Sequence, residues 1–219
     1  MTSLIVAGAG SWAQSLAFLA RASLQFPLTA YAVDREYRDR DTVDGLPLRA
    51  IDEVMDLEPS SCAWLIGIVD YRHRMRGRAH IVERLQSRGH KIVGFTHATA
   101  CTEGAVIDPT ATLLPGAITG PGTRLGSMSV LTQGAVVSHH CVIGSCCYVG
   151  PGARISGNVT VGDQTFIGVG AVVRDGISIG SKCLIGAGAV ILTDVPDGTV
   201  VVDRYEMTGQ RDTAAKHRP

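Results

Sequence analysis

The sequence lacks the features that would suggest a nucleic-acid or membrane partner. Its 20 Lys and Arg residues balance 20 Asp and Glu residues, so no net charge attracts a polyanion. No apolar run approaches the ~18–20 residues that span a bilayer. The start, MTSLIVAGAG, lacks the basic segment of a signal peptide. We therefore expect a cytoplasmic protein that binds neither nucleic acid nor membrane.

Metal-binding cysteine spacings are absent as well. The six cysteines form neither a Cys-x-x-Cys motif nor a Cys/His cluster, and a chain without a secretion signal keeps its thiols reduced by default. Aromatic residues make up only 5% of the chain, so a core of large rings is not expected. The sequence predicts no metal site and no disulfide.

Glycine is abundant instead, with 26 residues, and it accompanies a repeat of six. Stepping by six from Ile107 to Ile191 gives fifteen positions, of which fourteen hold Leu, Ile or Val and only Thr119 departs. A helix requires apolar spacings of three and four, and an amphipathic strand requires two. A period of six favours a short strand and a tight turn, repeated as a solenoid with one inward aliphatic side chain per unit.

The residue four places after each inward position is mostly small or β-branched. Cys141, Cys147 and Cys183 occupy such places, so we expect them to pack as compact apolar residues. Cys146 is out of phase, and we expect it to face solvent or a neighbour.

The first 98 residues alternate strand and helix, which predicts a small parallel, Rossmann-like α/β domain. Its first turn contains Gly8, Gly10 and Ser11 in a degenerate G-x-G-x-x-G pattern, either a plain strand-to-helix turn or a site for a nucleotide phosphate. Asp34 ends the second strand, where an acid can bond a ribose hydroxyl or simply be solvated.

Four arginines alternate at the start of YRHRMRGRAHIVERLQSRG, the predicted helix that follows the third strand. Arg72, Arg74, Arg76 and Arg78 are predicted to form a solvated helix face, from which Arg74 can reach a phosphate.

The hexads resemble those of the hexapeptide acyltransferases, and the order of domains resembles the bacterial nucleotide-sugar acetyltransferases. This resemblance rests on stretches such as LIVAGAG, SHHCVIG, ISGNVTVG and IGAGAVILTDVPDGTVV. It implies a left-handed parallel β-helix over residues 99–202, with three hexads per coil. The resemblance ends there, and residues 203–219 form a polar tail without a pattern. The resemblance also implies a homotrimer, acetyl-CoA as co-substrate, and acceptor and coenzyme sites between neighbouring prisms.

In that family the catalytic hexad reads like xxH[DE]xxIG, and VSHHCVIG matches it at His139. The resemblance implies that His139 is the general base, because a neutral imidazole can take the proton that an attacking amine loses. His140 stands where relatives carry an acid that orients the base, so it is either an orienting partner or a solvated neighbour.

The resemblance also assigns a coenzyme groove. Tyr148 stands where many relatives have a second histidine near the thioester carbonyl, and it is either a hydrogen-bond donor there or a lateral aromatic residue at a subunit contact. Gly157, Val169 and Ala187 are the positions that would line the coenzyme arm.

We therefore expect an acetyl-CoA-dependent N-acetyltransferase acting on a nucleotide-linked amino sugar. The turn departs from the family's Gly-Gly-His, with Ser11 and Trp12 in place of its last two residues. This departure favours, as an alternative, O-acetylation or an acceptor without a nucleotide. A third interpretation is a non-catalytic β-helix scaffold, which would tolerate the loss of His139.

Overall fold

The computed structural model describes residues 2–70 and 75–202; the predicted tail at 203–219 lies outside them. The described residues of the N-terminal part form an α/β domain with six strands and three α-helices. In chain order these elements are β1 Ser3–Ala7, α1 Ser11–Ser23, β2 Leu28–Val33, β3 Thr42–Val43, β4 Leu46–Ala50, α2 Ile51–Met55, β5 Cys62–Ile66, α3 Arg76–Ser87 and β6 Lys91–Ile92, with 3₁₀ turns at Arg35–Tyr37 and Pro59–Ser61.

The strands of this domain form one sheet in the order β3-β4-β2-β1-β5-β6. All pairs are parallel except β3 with β4, a hairpin that the sequence analysis did not predict. The apolar strand β1 lies between β2 and β5 and is almost wholly buried. Because parallel strands point their carboxyl ends to one edge, the turns after β1, β2 and β5 meet there.

The second part is a prism of two-residue strands. These are β7 Val106–Ile107, β8 Thr112–Leu113, β9 Ile118–Thr119, β10 Arg124–Leu125, β11 Val130–Leu131, β12 Val136–Val137, β13 Val142–Ile143, β14 Tyr148–Val149, β15 Arg154–Ile155, β16 Thr160–Val161, β17 Phe166–Ile167, β18 Val172–Val173, β19 Ser178–Ile179, β20 Leu184–Ile185, β21 Val190–Ile191 and β22 Val200–Val201.

These strands stack into three parallel sheets. The first face contains β7, β10, β13, β16 and β19; the second contains β8, β11, β14, β17, β20 and β22; the third contains β9, β12, β15, β18 and β21. Stacked partners such as Val142 and Thr160 are one coil apart, which is three hexads. The predicted period of six and the predicted coil of three hexads are both confirmed.

Two corners of the prism matter for function. We call the corner between the third and first faces the open corner; it includes residues 138–141 and, one coil below, 156–158. The corner between the first and second faces includes residues 126–129 and 144–147. We call it the docked corner, because Met128 and Cys146 belong to the same buried cluster as Ile5, Ile81 and other residues of the α/β domain.

The inward positions form the prism core. Thr119, the one polar exception, is also buried, and its hydroxyl bonds the Cys101 carbonyl at 3.4 Å. Cys141, Cys147 and Cys183 are at most 1% exposed, so their predicted packing role is confirmed. Of the two alternatives for Cys146, solvent or a neighbour, the structure shows the second: Cys146 is only 7% exposed, because the α/β domain covers the docked corner.

This burial predicts the thiol chemistry of the native protein. Five of the six cysteines are buried and Cys101 alone is exposed; burial raises the pKa of Cys147 to about 12. Since only the thiolate reacts, we expect one fast thiol per chain with an aromatic disulfide reagent at pH 8, and six after denaturation. Two or more fast thiols in the folded protein would contradict the burial of the prism and the docked corner.

None of the helices in the two described ranges has the length and apolar character needed to cross a membrane.

Candidate active site

The two histidines lie side by side at the open corner. Both rings are exposed, and their Nδ1 atoms are 3.2 Å apart, at hydrogen-bond distance. The ring planes cross at 76° with centroids 5.4 Å apart. The backbone holds the pair in place: His139 accepts a hydrogen bond from the Asn158 amide, and the His140 amide donates to the Pro121 carbonyl, each at 3.0 Å.

A bond between two Nδ1 atoms restricts the tautomers of the pair. One Nδ1 must carry the proton and the other must offer its lone pair. When the Nδ1 of His139 donates, its Nε2 is left with a free lone pair, which is the state that a general base requires. The structure therefore brings together the two residues that the sequence singled out, in a geometry suited to base catalysis.

The imidazole of His139 lies directly over Gly157, where the absence of a side chain leaves room for the ring. A Cβ at Gly157 would lie 2.6 Å from the His139 Nε2, so any side chain there would displace the imidazole. The equivalent place one coil below holds Asp175, which means that the turn itself accepts a side chain. We infer that glycine occupies this place to accommodate the imidazole above it.

Tyr148 lies on the outward side of the second face, away from the open corner of its own chain. Its ring stacks on Phe166 at 5.0 Å and 2°, and meets the edge of Trp12 at 5.6 Å and 73°. Burial raises the pKa of the Tyr148 phenol. Within one chain the structure does not bring Tyr148 to His139, so a role near the thioester requires another copy and remains a prediction.

Val169 and Ala187 are exposed on the corner between the second and third faces. The third face therefore lies between these two residues and the histidine pair. Its outward side is largely apolar, since Ile118, Val172 and Val190 are 42%, 38% and 60% exposed. A coenzyme arm or a second copy of the chain suits this surface.

The glycine turn after β1 connects the strand to α1, as the sequence predicted. Its two glycines are present for different reasons. Gly8 has φ +114°, and a Cβ there would lie 2.7 Å from the Gly67 carbonyl, so only glycine fits. Gly10 is the N-cap of α1, and a Cβ there would meet open space. Ser11 is exposed, and the first turn of α1 has no acidic residue, which leaves its N-terminus suited to an anion.

A cavity of about 430 Å³ adjoins this turn at the carboxyl edge of the sheet. Gly8, Asp34, Ile68 and Asp70 are among the residues that line it. Asp34 shares its carboxylate with Arg84, whose Nη1 is 2.7 Å from Oδ1. Oδ1 of Asp34 is thus engaged by Arg84, and the bond from Asp34 to a ribose hydroxyl remains a prediction. Arg74, predicted to reach a phosphate, lies outside the described residues.

Sequence reasoning missed two features of the site. The predicted solvated arginine face is wrong for Arg78, which is 2% exposed. A signal of its burial was present in the sequence. Arg78 lies three, four and seven residues before the other buried residues of α3, which are Ile81, Val82 and Leu85, and this spacing places it on the buried face of the helix. The second is Trp12, whose indole N–H is buried beside Tyr148 without a hydrogen-bond partner among the described residues.

Over the two described ranges, no group of three or more His, Cys, Asp or Glu side chains is arranged to hold a metal ion.

Comparison with known proteins finds one matching repeat model and several solved structures of similar fold. A family model for the hexapeptide repeat of succinyl-transferase matches residues 158–193. No curated protein matches the chain significantly. Among solved structures, the acetyltransferase domain of PglB from Neisseria gonorrhoeae FA1090, in complex with acetyl coenzyme A, is 28% identical with a TM-score of 0.79. That match covers 90% of this chain and 94% of that one.

Two further structures are similar in fold. GDP-perosamine N-acetyltransferase from Caulobacter crescentus, as a variant in complex with CoA and GDP-perosamine, has a TM-score of 0.81 at 24% identity, covering 91% of this chain and 93% of that one. WeeI from Acinetobacter baumannii AYE also has a TM-score of 0.81 at 24% identity, covering 93% and 97%. The predicted fold, an α/β domain followed by a left-handed parallel β-helix, is confirmed.

Proposed function

The chain is similar in its repeat and its fold to bacterial hexapeptide-repeat sugar acetyltransferases, and from this premise we propose that it is an acetyl-CoA-dependent N-acetyltransferase of a nucleotide-linked amino sugar. The observation that carries the proposal is the His139–His140 pair, bonded at 3.2 Å over a glycine that leaves room for the ring. Its action in the cytoplasm remains a prediction.

The chemistry assigned to His139 is proton transfer. Acetyl-CoA supplies a thioester, and the neutral amine of the acceptor sugar forms the new C–N bond as the C–S bond breaks. The Nε2 of His139 accepts the proton that the amine loses, and the departing thiolate takes a proton in turn. No acyl-enzyme is needed, because both substrates meet directly at the corner.

His140 is proposed to orient the base. In the neutral pair its Nδ1 accepts the His139 Nδ1–H, which fixes the tautomer and the ring orientation. It supplies no negative charge, unlike the acid of the family motif, so the protonated ring of His139 is stabilised by a dipole only.

Variants of His140 test this role. His140 has φ +55°, a region that Asn and Asp tolerate well. We expect His140→Ala to lower kcat about three- to tenfold, because a neutral hydrogen bond contributes ~1 kcal/mol. His140→Asn keeps an acceptor and is expected to lose less, and His140→Asp adds a charge opposite the imidazolium and is expected to keep or exceed wild-type turnover. Equal turnover in all three would contradict an orienting role.

The nucleotide is proposed to bind at the carboxyl edge of the α/β sheet. The N-terminus of α1 beside Gly10 and Ser11 suits the diphosphate, and the cavity bordered by Asp34 suits the ribose and base. The cavity lies in the α/β domain, which packs on the docked corner, whereas the His139 of the same chain lies at the open corner.

A homotrimer is the remaining part of the proposal. Since the α/β domain covers the docked corner and part of the second face, its acceptor would meet the open corner of a neighbouring copy. Val169 and Ala187 would then border the coenzyme site at the subunit contact, and the apolar third face would be covered.

One observation favours a second acceptor class. The indole of Trp12 follows the glycine turn and packs against Tyr148, so a bulky group occupies the junction between turn and prism. This crowding fits O-acetylation or a smaller, non-nucleotide acceptor.

A single assay distinguishes the nucleotide-linked acceptor from the second acceptor class. It measures thiol release from acetyl-CoA with UDP-, GDP- and dTDP-linked amino sugars and, in parallel, with the free amino sugars. Release with one nucleotide-linked sugar supports the proposal. Release with free amines or hydroxyls alone supports the second class.

A further inference from the structure

Arg78 forms a link between the two parts of the molecule. It is the third residue of α3, and its guanidinium is buried with four hydrogen bonds to backbone carbonyls. Toward the α/β domain, Nη1 donates to Ile66 at 2.7 Å and to Ile68 at 3.1 Å. Toward the prism, Nε and Nη2 both donate to the Met128 carbonyl, at 3.2 and 2.8 Å.

The guanidinium has no ion pair with a carboxylate in the described part of the chain, so the carbonyls alone compensate its burial. Burial lowers the pKa of Arg78 to about 10, and the group is therefore charged at neutral pH. A buried cation without a counter-charge is costly unless its donors are bonded. The planar guanidinium of arginine can bond several carbonyls at once because it presents its N–H donors in fixed directions, which a lysine cannot do.

The carbonyls that it joins are placed at functional positions. Ile66 ends β5 and Ile68 lines the 430 Å³ cavity, while Met128 lies in the docked corner with φ +55°. Gly77, the residue before Arg78, also lines the cavity and donates to Asp70 at 3.1 Å. One side chain thus spans from the wall of the cavity to the prism.

We propose that Arg78 is a positioning residue that holds the nucleotide cavity in a fixed orientation on the prism, so that the acceptor amine reaches the base. The role of the cavity rests on the proposed function. The physical reason is that transfer requires the reacting atoms to be within about 3–3.5 Å, and a shift of ~1 Å can cost ~10² in rate.

Cys146 provides a test that does not depend on activity. It is buried at the docked corner in the same cluster as the α/β domain, whereas Cys147 is buried inside the prism and Cys101 is exposed. We compare full-length wild type with Arg78→Met and Arg78→Lys by alkylation and peptide mass spectrometry, with Cys101 as internal standard. We expect at least tenfold faster labelling of Cys146 in Arg78→Met, a smaller increase in Arg78→Lys, and no change at Cys147.

Arg76→Met is the matched control, because Arg76 is exposed on the same helix; it should label like wild type. Unchanged Cys146 labelling in both Arg78 variants would overturn the proposal. Faster labelling of Cys147 as well would mean general unfolding of Arg78→Met, and Arg78→Lys would then decide.

Kinetics test the positioning role itself. In Arg78→Met and Arg78→Lys, kcat/KM for the nucleotide-linked sugar should fall at least tenfold more than for the free amino sugar, which does not use the cavity. An equal loss for both acceptors, or none, would overturn the positioning role. If wild-type protein transfers to no nucleotide-linked sugar, the proposed function has failed, and Cys146 labelling still decides whether Arg78 holds the two parts together.

Discussion

Replacing His139 with alanine is expected to lower kcat by about 10²–10⁴, the usual contribution of a positioned general base. The ring is exposed and packs on the surface of the open corner, so its loss should leave the prism intact. Turnover of acetyl-CoA with the best acceptor, alongside the melting temperature, measures both effects.

His139→Asn is the matched variant for this experiment. Its amide keeps a polar group of similar reach but cannot take a proton at neutral pH, so it should lose as much as His139→Ala. Added imidazole should restore part of the activity of His139→Ala, because a free base can enter the vacated space. Wild-type turnover in both variants would contradict the assignment of His139 as the general base. The scaffold interpretation instead predicts no turnover with any acceptor, in the wild type as well.

Substituting Gly157 with alanine is expected to lower kcat about tenfold to 10²-fold with little change in melting temperature. The added Cβ would lie 2.6 Å from the His139 Nε2, so the imidazole must move away from its position. A small displacement of a reacting group lowers the rate of reaction strongly. The backbone has no reason to change, since the equivalent place one coil below carries Asp175.

Ser156→Ala is the control at the same turn, because it adds no atom beneath the ring. It should keep near-normal turnover. A Gly157→Ala protein that is as active as wild type would mean that the observed position of the imidazole is not the working one. A large fall in melting temperature would instead assign the glycine to folding.

Much of the fold could be predicted from single residues and their spacing. An aliphatic residue at every sixth position, without insertion from Ile107 to Ile191, leaves only a repeating coil that can bury all of them. The apolar runs of β1, β2 and β5 predicted the parallel sheet in the same way. The histidine pair was visible too, because two imidazoles rarely stand between small and apolar residues.

Other features depended on contacts between distant parts of the chain. The sequence determined the prism, its buried cysteines and the place of His139, because those follow from a local period. Only the tertiary structure decided that Arg78 and Cys146 are buried, that Tyr148 meets the edge of the Trp12 ring, and why position 157 is glycine. The bond from Arg78 to Met128 joins residues 50 positions apart. A local pattern contains no information on such a contact, because it exists only once the α/β domain has docked on the prism.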